Sequence, residues 1–213
     1  MARLERLGIF GGTFDPPHIG HLILAEEARA QLHLSRVLWV LTPNPPHKTE
    51  QRVSPLDVRL SLLQAAIAEN PAFELSRVEI DRPPPHYAAD TVQILADAYP
   101  QADLIYLMGA DSLRDLPLWK EPHRFLGGCH ALGVMRRPGA KIPLERLETQ
   151  LPGITHKVMF IEAPLLQIAS SHLRARIATG KPFRYFLPAA VYHAIVSNHL
   201  YSFGECYEQR STS

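Results

Sequence analysis

Residues 8–21 read Gly-Ile-Phe-Gly-Gly-Thr-Phe-Asp-Pro-Pro-His-Ile-Gly-His: a strand end, a turn rich in glycine and proline, and the opening of a helix. Leu7 to Phe10 supply the apolar strand end. Gly11 and Gly12 give the backbone access to positive φ and let it approach a ligand with no Cβ in the way. Asp15-Pro16-Pro17 punctuates the turn. From Ile19, apolar residues at Leu22, Ile23, Ala25 and Ala28 mark one helical face. His18 and His21 then fall in the first turn as neighbours at i and i+3, both expected to look out from the helix N-terminus. Unpaired N–H groups and the positive dipole end make that terminus an anion site. The dinucleotide fingerprint is missing, because Gly8-x-x-Gly11-Gly12 lacks the G-x-G-x-x-G spacing, and no G-x-x-x-x-G-K-[ST] loop occurs.

Outward from this run, helices and short apolar strands alternate. Strands are expected at 37–41, 104–108, 131–135 and 158–161, with a short strand or two in 73–80. Ser54 reads as an N-cap with Pro55 at the first helical position, followed by a stripe of Leu56, Leu60, Leu63 and Ile67. Further helices are expected at 87–99, 144–151, 170–178 and 188–198. This alternation argues an α/β fold, a doubly wound parallel sheet of Rossmann-like type with C-terminal helices. In such a sheet ligands bind at the carboxyl ends of the strands, where the loops after Phe10, Leu41, Met108 and Met135 gather.

Bulk properties limit the choice of function. At 213 residues the chain suits one domain, taken as 1–203, with a polar tail at 204–213. A formal charge of +1, from Lys+Arg 22 against Asp+Glu 21, lacks the footprint of a general nucleic-acid binder. Cys129 and Cys206 form no metal-type spacing, and the first six residues carry no apolar signal core. No apolar run is long enough to span a bilayer. The reading is a cytoplasmic protein with neither nucleic acid nor membrane as partner; a homo-oligomer stays open.

Gly12-Thr-Phe-Asp-Pro-Pro-His18-Ile-Gly-His21 resembles the GTFDPxHxGH signature of the nucleotidyltransferase superfamily, in the form carried by bacterial nicotinate mononucleotide adenylyltransferases. The resemblance implies that Gly11, Gly12, Thr13, Phe14, His18 and His21 bind ATP, with both histidines catalytic. Thr42-Pro-Asn-Pro-Pro-His47-Lys48 is similar to the family's PxxPPHK stretch, whose histidine and lysine face phosphates. It adds Lys48 to the catalytic set and His47, Lys48 and Thr13 to the mononucleotide contacts. Arg59, on the following helix, reads as a surface charge or a further phosphate contact.

Asp81-Arg-Pro-Pro-Pro-His-Tyr-Ala-Ala-Asp-Thr91 is similar to the family's R-x-G-x-S-Y-T-x-D-T segment, which contacts the nicotinate ring and its carboxylate. Tyr87, Asp90 and Thr91 match. Pro84, His86 and Ala88 replace the glycine, serine and threonine, so a hydroxyl bond from that last position is gone and a backbone N–H remains to hold a carboxylate. Gly109-x-Asp111 with Trp119 resembles the GxDxL…W segment, whose acid contacts ribose or metal and whose tryptophan stacks on the pyridine. An indole face suits a pyridinium cation. Arg136, at the end of a later strand, is read as a further mononucleotide contact. Ile168-Ala-Ser-Ser-His-Leu-Arg174 resembles the ISSTxIR signature and begins a helix through serine caps. Ala169 and Ser171 replace its first serine and its threonine, while Ser170 and Arg174 stand in place for the triphosphate, Arg174 as a catalytic residue.

These segments imply adenylyl transfer from ATP, with Mg²⁺ as cofactor, to a pyridine mononucleotide; no metal ligands are expected from the protein. Nicotinamide mononucleotide as the preferred acceptor, pantetheine-phosphate or cytidylyl transfer, a non-catalytic nucleotide-binding module and a histidine metal site are the competing readings. The metal reading lacks a third and fourth ligand at a zinc-like spacing.

Overall fold

The computed structural model describes residues 5–44, 53–136, 142–164 and 166–202. Its centre is a six-stranded sheet in the order β3-β2-β1-β4-β5-β6, every neighbouring pair parallel. The strands are β1 (Glu5–Gly12), β2 (Arg36–Leu41), β3 (Phe73–Ser76), β4 (Ala102–Gly109), β5 (Ala131–Met135) and β6 (Val158–Ile161). Sequence order reverses between β1 and β4, so the switch point lies at the carboxyl end of the strand that opens the chain.

Alternate strand residues serve the two faces of the sheet, as strands buried on both sides require. Ile9, Leu38, Val40, Leu104, Leu132 and Val134 point into one core. There they meet α3 (Ala88–Ala98) and α5 (Pro122–Gly128) through Val92, Leu95, Phe125 and Leu126. Phe10, Val37, Trp39, Leu41, Ile105 and Leu107 point the other way, against Leu24, Ala25 and Ala28 of α1 (Ile19–Gln31) and Leu63 and Ile67 of α2 (Leu56–Ile67). A third apolar cluster joins Leu62 of α2 to Leu173 of α8 (Ser170–Ala178) and to Val191 and Ile195 of α9 (Ala189–Ser197). That cluster fixes the C-terminal helices on the α1 side, beside the first loop. The shorter helices are α4 (Ala110–Asp115), α6 (Leu144–Gln150) and α7 (Ile154–Lys157).

Three local expectations need correction. Gly11 and Gly12 continue β1 instead of turning. The positive φ falls on Phe14, at 47°, whose ring is buried in an aromatic cluster with Phe10 and Trp39. The glycines answer a need for space: a Cβ on Gly11 would lie 2.9 Å from the Tyr106 hydroxyl, and one on Gly12 2.8 Å from the Phe14 ring. At α2 the N-cap is Pro55, so Ser54 lies outside the helix. At α8 the N-cap is Ala169, which leaves Ser170 as the first helical residue. As expected, residues 73–80 hold a short strand, β3, which a turn follows. Helices α4 and α5 were not foreseen, because six- and seven-residue helices are too short for an apolar period to declare itself. The expected tail at 204–213 lies outside the described residues.

Candidate active site

The first loop and α8, joined by residues 154 and 159 positions apart in sequence, meet around one cavity of about 470 Å³ at the carboxyl end of the sheet. Thr13, His18 and His21 line it from the first loop and α1, Met135 and Arg136 from the end of β5, and Ser170 and Arg174 from α8. Two hydrogen bonds tie these segments together directly. The Ser170 hydroxyl donates to the Pro16 carbonyl at 2.8 Å, and Arg174 Nη1 donates to the Asp15 carbonyl at 2.6 Å.

His18 is the N-cap of α1 and His21 its third residue. The His18 N–H donates to His21 Nδ1 at 3.2 Å, one arm of a capping box with an imidazole in the usual place of Glu or Gln. An accepting Nδ1 puts the proton of a neutral His21 on Nε2. The rings stack with centroids 3.6 Å apart, and Phe14 leans edge-on against His21 at 5.2 Å. Contrary to expectation, His18 does not look out: it is 5% exposed, and its Nδ1 is buried with no hydrogen-bond partner. Burial lowers its pKa to about 4, so the ring is neutral near pH 7.

Beneath the loop sits a pair of charges that the motifs did not announce as a unit. Asp15 is 2% exposed. Its carboxylate accepts the Ser54 N–H at 3.1 Å and the Tyr201 hydroxyl at 2.9 Å, and lies 3.5 Å from Arg174 Nη1. Arg59, also 2% exposed, is neither a surface charge nor placed for a phosphate. Its guanidinium donates to the carbonyls of Ser54, Thr13, Thr42 and Pro43, which ties the first loop to both approaches of the loop after β2. A signal for this was present: Arg59 lies at i+3 from Leu56 and i+4 before Leu63, inside the apolar stripe of α2. His47 and Lys48 lie outside the described residues.

Apart from Arg136, which lines the cavity already described, the other predicted contacts lie on the opposite face of the sheet. Tyr87 is the N-cap of α3, a helix with Asp90 in its first turn. Thr91 is buried; its hydroxyl donates to Glu79 at 2.6 Å and accepts from Arg82 at 3.0 Å, so it braces the segment from within. Asp90 pairs with Arg124 and lies 3.7 Å from Arg82. Trp119, half-buried, packs against Phe125 and edge-on to Tyr106 at centroid distances of 5.2 and 6.1 Å. Tyr106 in turn reaches the end of β1, where Gly11 leaves it room. Gly109 is the N-cap of α4, and Asp111 is exposed in its first turn, 3.1 Å from Arg114. Arg136 is exposed at the cavity mouth with its guanidinium 4.0 Å from the centre of the Phe160 ring. Among the described residues no group of three or more His, Cys, Asp or Glu could hold a metal ion, and no helix is long and apolar enough to cross a membrane.

Comparison with known proteins is consistent with this layout. Residues 9–176 match the family model described as Cytidylyltransferase-like. The probable nicotinate-nucleotide adenylyltransferase of Thermomicrobium roseum is 44% identical over 198 residues, 93% of this chain and 92% of that protein. The protein of the same description from Roseiflexus castenholzii is also 44% identical, over 92% of this chain and 98% of its own. In structure the chain resembles the nicotinic acid mononucleotide adenylyltransferase of Plasmodium falciparum complexed with NaAD. The TM-score is 0.75 at 17% identity, over 92% of this chain and 97% of that one, a likeness of fold.

Proposed function

The chain belongs to the Cytidylyltransferase-like family, and from that premise we infer that it is a nicotinate-nucleotide adenylyltransferase, an enzyme of NAD biosynthesis. ATP, entering as its Mg²⁺ complex, and nicotinate mononucleotide give nicotinate adenine dinucleotide and pyrophosphate. The observation that carries the reading is the cavity shared by His18, His21, Ser170 and Arg174. A histidine pair at one helix N-terminus and a serine and arginine on another, distant in sequence, line this one cavity, and a triphosphate is a ligand that both termini suit.

An oxygen of the mononucleotide phosphate attacks the α-phosphorus of ATP; the new P–O–P link forms as the bond to the β-phosphate breaks and pyrophosphate leaves. A phosphate monoester with a second pKa of about 6 is already mostly ionised at neutral pH, so no strong base is required. The protein's part is in-line placement and stabilisation of charge on transferring and leaving oxygens. His21 serves the α-phosphate, through the Nε2 proton that the bond at Nδ1 assigns to it. His18, neutral in the free protein, orients phosphate by hydrogen bonding instead of by charge. Arg174 faces the β- and γ-phosphates. The Ser170 hydroxyl is already engaged with Pro16, so α8 contributes through the unpaired N–H groups of its first turn. Lys48 and His47 complete the phosphate contacts on the family resemblance.

On the acceptor side, Trp119 and Tyr87 take the pyridine ring, and the first N–H groups of α3, at Ala88 and Ala89, take its carboxylate in place of the missing hydroxyl. A cytoplasmic location belongs to the same reading.

The test is pyrophosphate release from Mg–ATP with nicotinate mononucleotide, nicotinamide mononucleotide and phosphopantetheine offered in parallel. Release is expected with the first at the highest kcat/KM. Silence with both pyridine nucleotides defeats the reading, and a preference for the amide corrects its substrate.

A further inference from the structure

Tyr201 follows α9 with φ at 63°, and its ring packs against the apolar cluster shared by α2, α8 and α9. From there its hydroxyl crosses 186 positions of sequence to Asp15 Oδ1. Burial, then the neighbouring carboxylate, push its pKa well above the ordinary tyrosine value, so the hydroxyl remains a donor.

The buried carboxylate it reaches stands between two guanidiniums with unequal tasks. Arg59 is bound to four carbonyl oxygens and is committed to holding the loops. Arg174 spends Nη1 on the Asp15 carbonyl at 2.6 Å and approaches Oδ2 only to 3.5 Å. A carboxylate and a guanidinium this close would ordinarily close into a two-toothed pair. Here Oδ1 is taken by Tyr201 and Oδ2 by the Ser54 N–H, and both hold the carboxylate plane away from that geometry. The contacts of the guanidinium with Asp15 use Nη1 alone, and the residue lines the cavity.

We propose that Tyr201 is a positioning residue of the transfer site: its hydroxyl orients the Asp15 carboxylate and, through it, keeps the Arg174 guanidinium turned toward the triphosphate. The inference rests on the reading of Arg174 as a triphosphate contact. Loss of the hydroxyl frees Oδ1, the carboxylate swings, and Arg174 closes onto it and withdraws from the cavity.

A double-mutant cycle on the full chain tests this, with the dissociation constant of Mg–ATP, measured by titration calorimetry without mononucleotide, as the readout. Tyr201→Phe is expected to weaken ATP about tenfold, the scale of one charge-assisted hydrogen bond, and to leave KM for the mononucleotide within about twofold. In an Arg174→Met background the same substitution is expected to change ATP affinity by less than about twofold. Asp15→Asn should cancel the effect of Tyr201→Phe in the same way. An unchanged ATP affinity in Tyr201→Phe, or an equal loss in both backgrounds, overturns the proposal and leaves Tyr201 a packing residue. Failure of the functional reading is separate and shows as absent pyrophosphate release by the unmodified protein.

Discussion

The imidazoles of His18 and His21 stack at 3.6 Å with their planes 20° apart, and the backbone N–H of the first donates to Nδ1 of the second. One ring is thereby buried and neutral while the other has its tautomer set. The pair works as an oriented donor array at the mouth of a helix, with no cost of bringing two cations together.

For His21 the expected consequence of Ala substitution is a fall in kcat of about a hundredfold or more, the scale of losing one donor to developing charge. Thermal stability should drop only a few degrees. Initial rates of pyrophosphate release alongside a melting curve check this; near-normal turnover in a folded variant removes His21 from the reaction.

His18 makes stability depend on acid pH. Its pKa is about 4 in the folded chain against 6.5 for the free side chain. Between those values the unfolded chain binds a proton that the folded chain refuses, so stability rises with pH across the window and is lost as pH falls from about 6.5 toward 4. Replacing it as His18→Gln should flatten this part of the curve. Melting temperatures of both proteins from pH 4 to 7 provide the test, and parallel curves would mean that His18 is not the responsible group.

Arg59 should prove more structural than its charge suggests. In Arg59→Met the carbonyls of Thr13, Thr42, Pro43 and Ser54 lose their donor, and the urea midpoint should report a loss of about 2–4 kcal/mol. Arg59→Lys should recover less than half of that, since one ammonium cannot span the fork.

Substitution of Trp119 by Ala should raise KM for the mononucleotide about tenfold, the value of one good ring contact with its buried area, and leave ATP affinity unchanged. Steady-state kinetics with each substrate varied separate the two. Equal effects on both substrates would place Trp119 in the core with Phe125 instead.

Gly133 lies in β5 where a Cβ would meet Leu107 at 2.7 Å, Leu32 at 2.8 Å and Ile161 at 3.1 Å. Gly133→Ala should therefore cost about 1–3 kcal/mol by overpacking, read by chemical denaturation. Specific activity of the folded fraction should remain.

Local patterns in the sequence determined the strands, the main helices, the order of the sheet's building blocks and the two end signatures, because apolar period, glycine and proline act within a few residues of where they stand. The midsection was legible more faintly: Tyr87 and Trp119 could be named, while the bracing of Thr91 by Glu79 and Arg82 could not. The tertiary structure alone decided that Ser170 and Arg174 bond directly to Pro16 and Asp15, that Arg59 spends its guanidinium on four carbonyls at the base of two loops, and that Tyr201 closes on Asp15. Each of these is a hydrogen bond between segments far apart in the chain. A polar residue in sequence announces its capacity to donate or accept, but which partner satisfies it is settled only when burial removes water as the competitor.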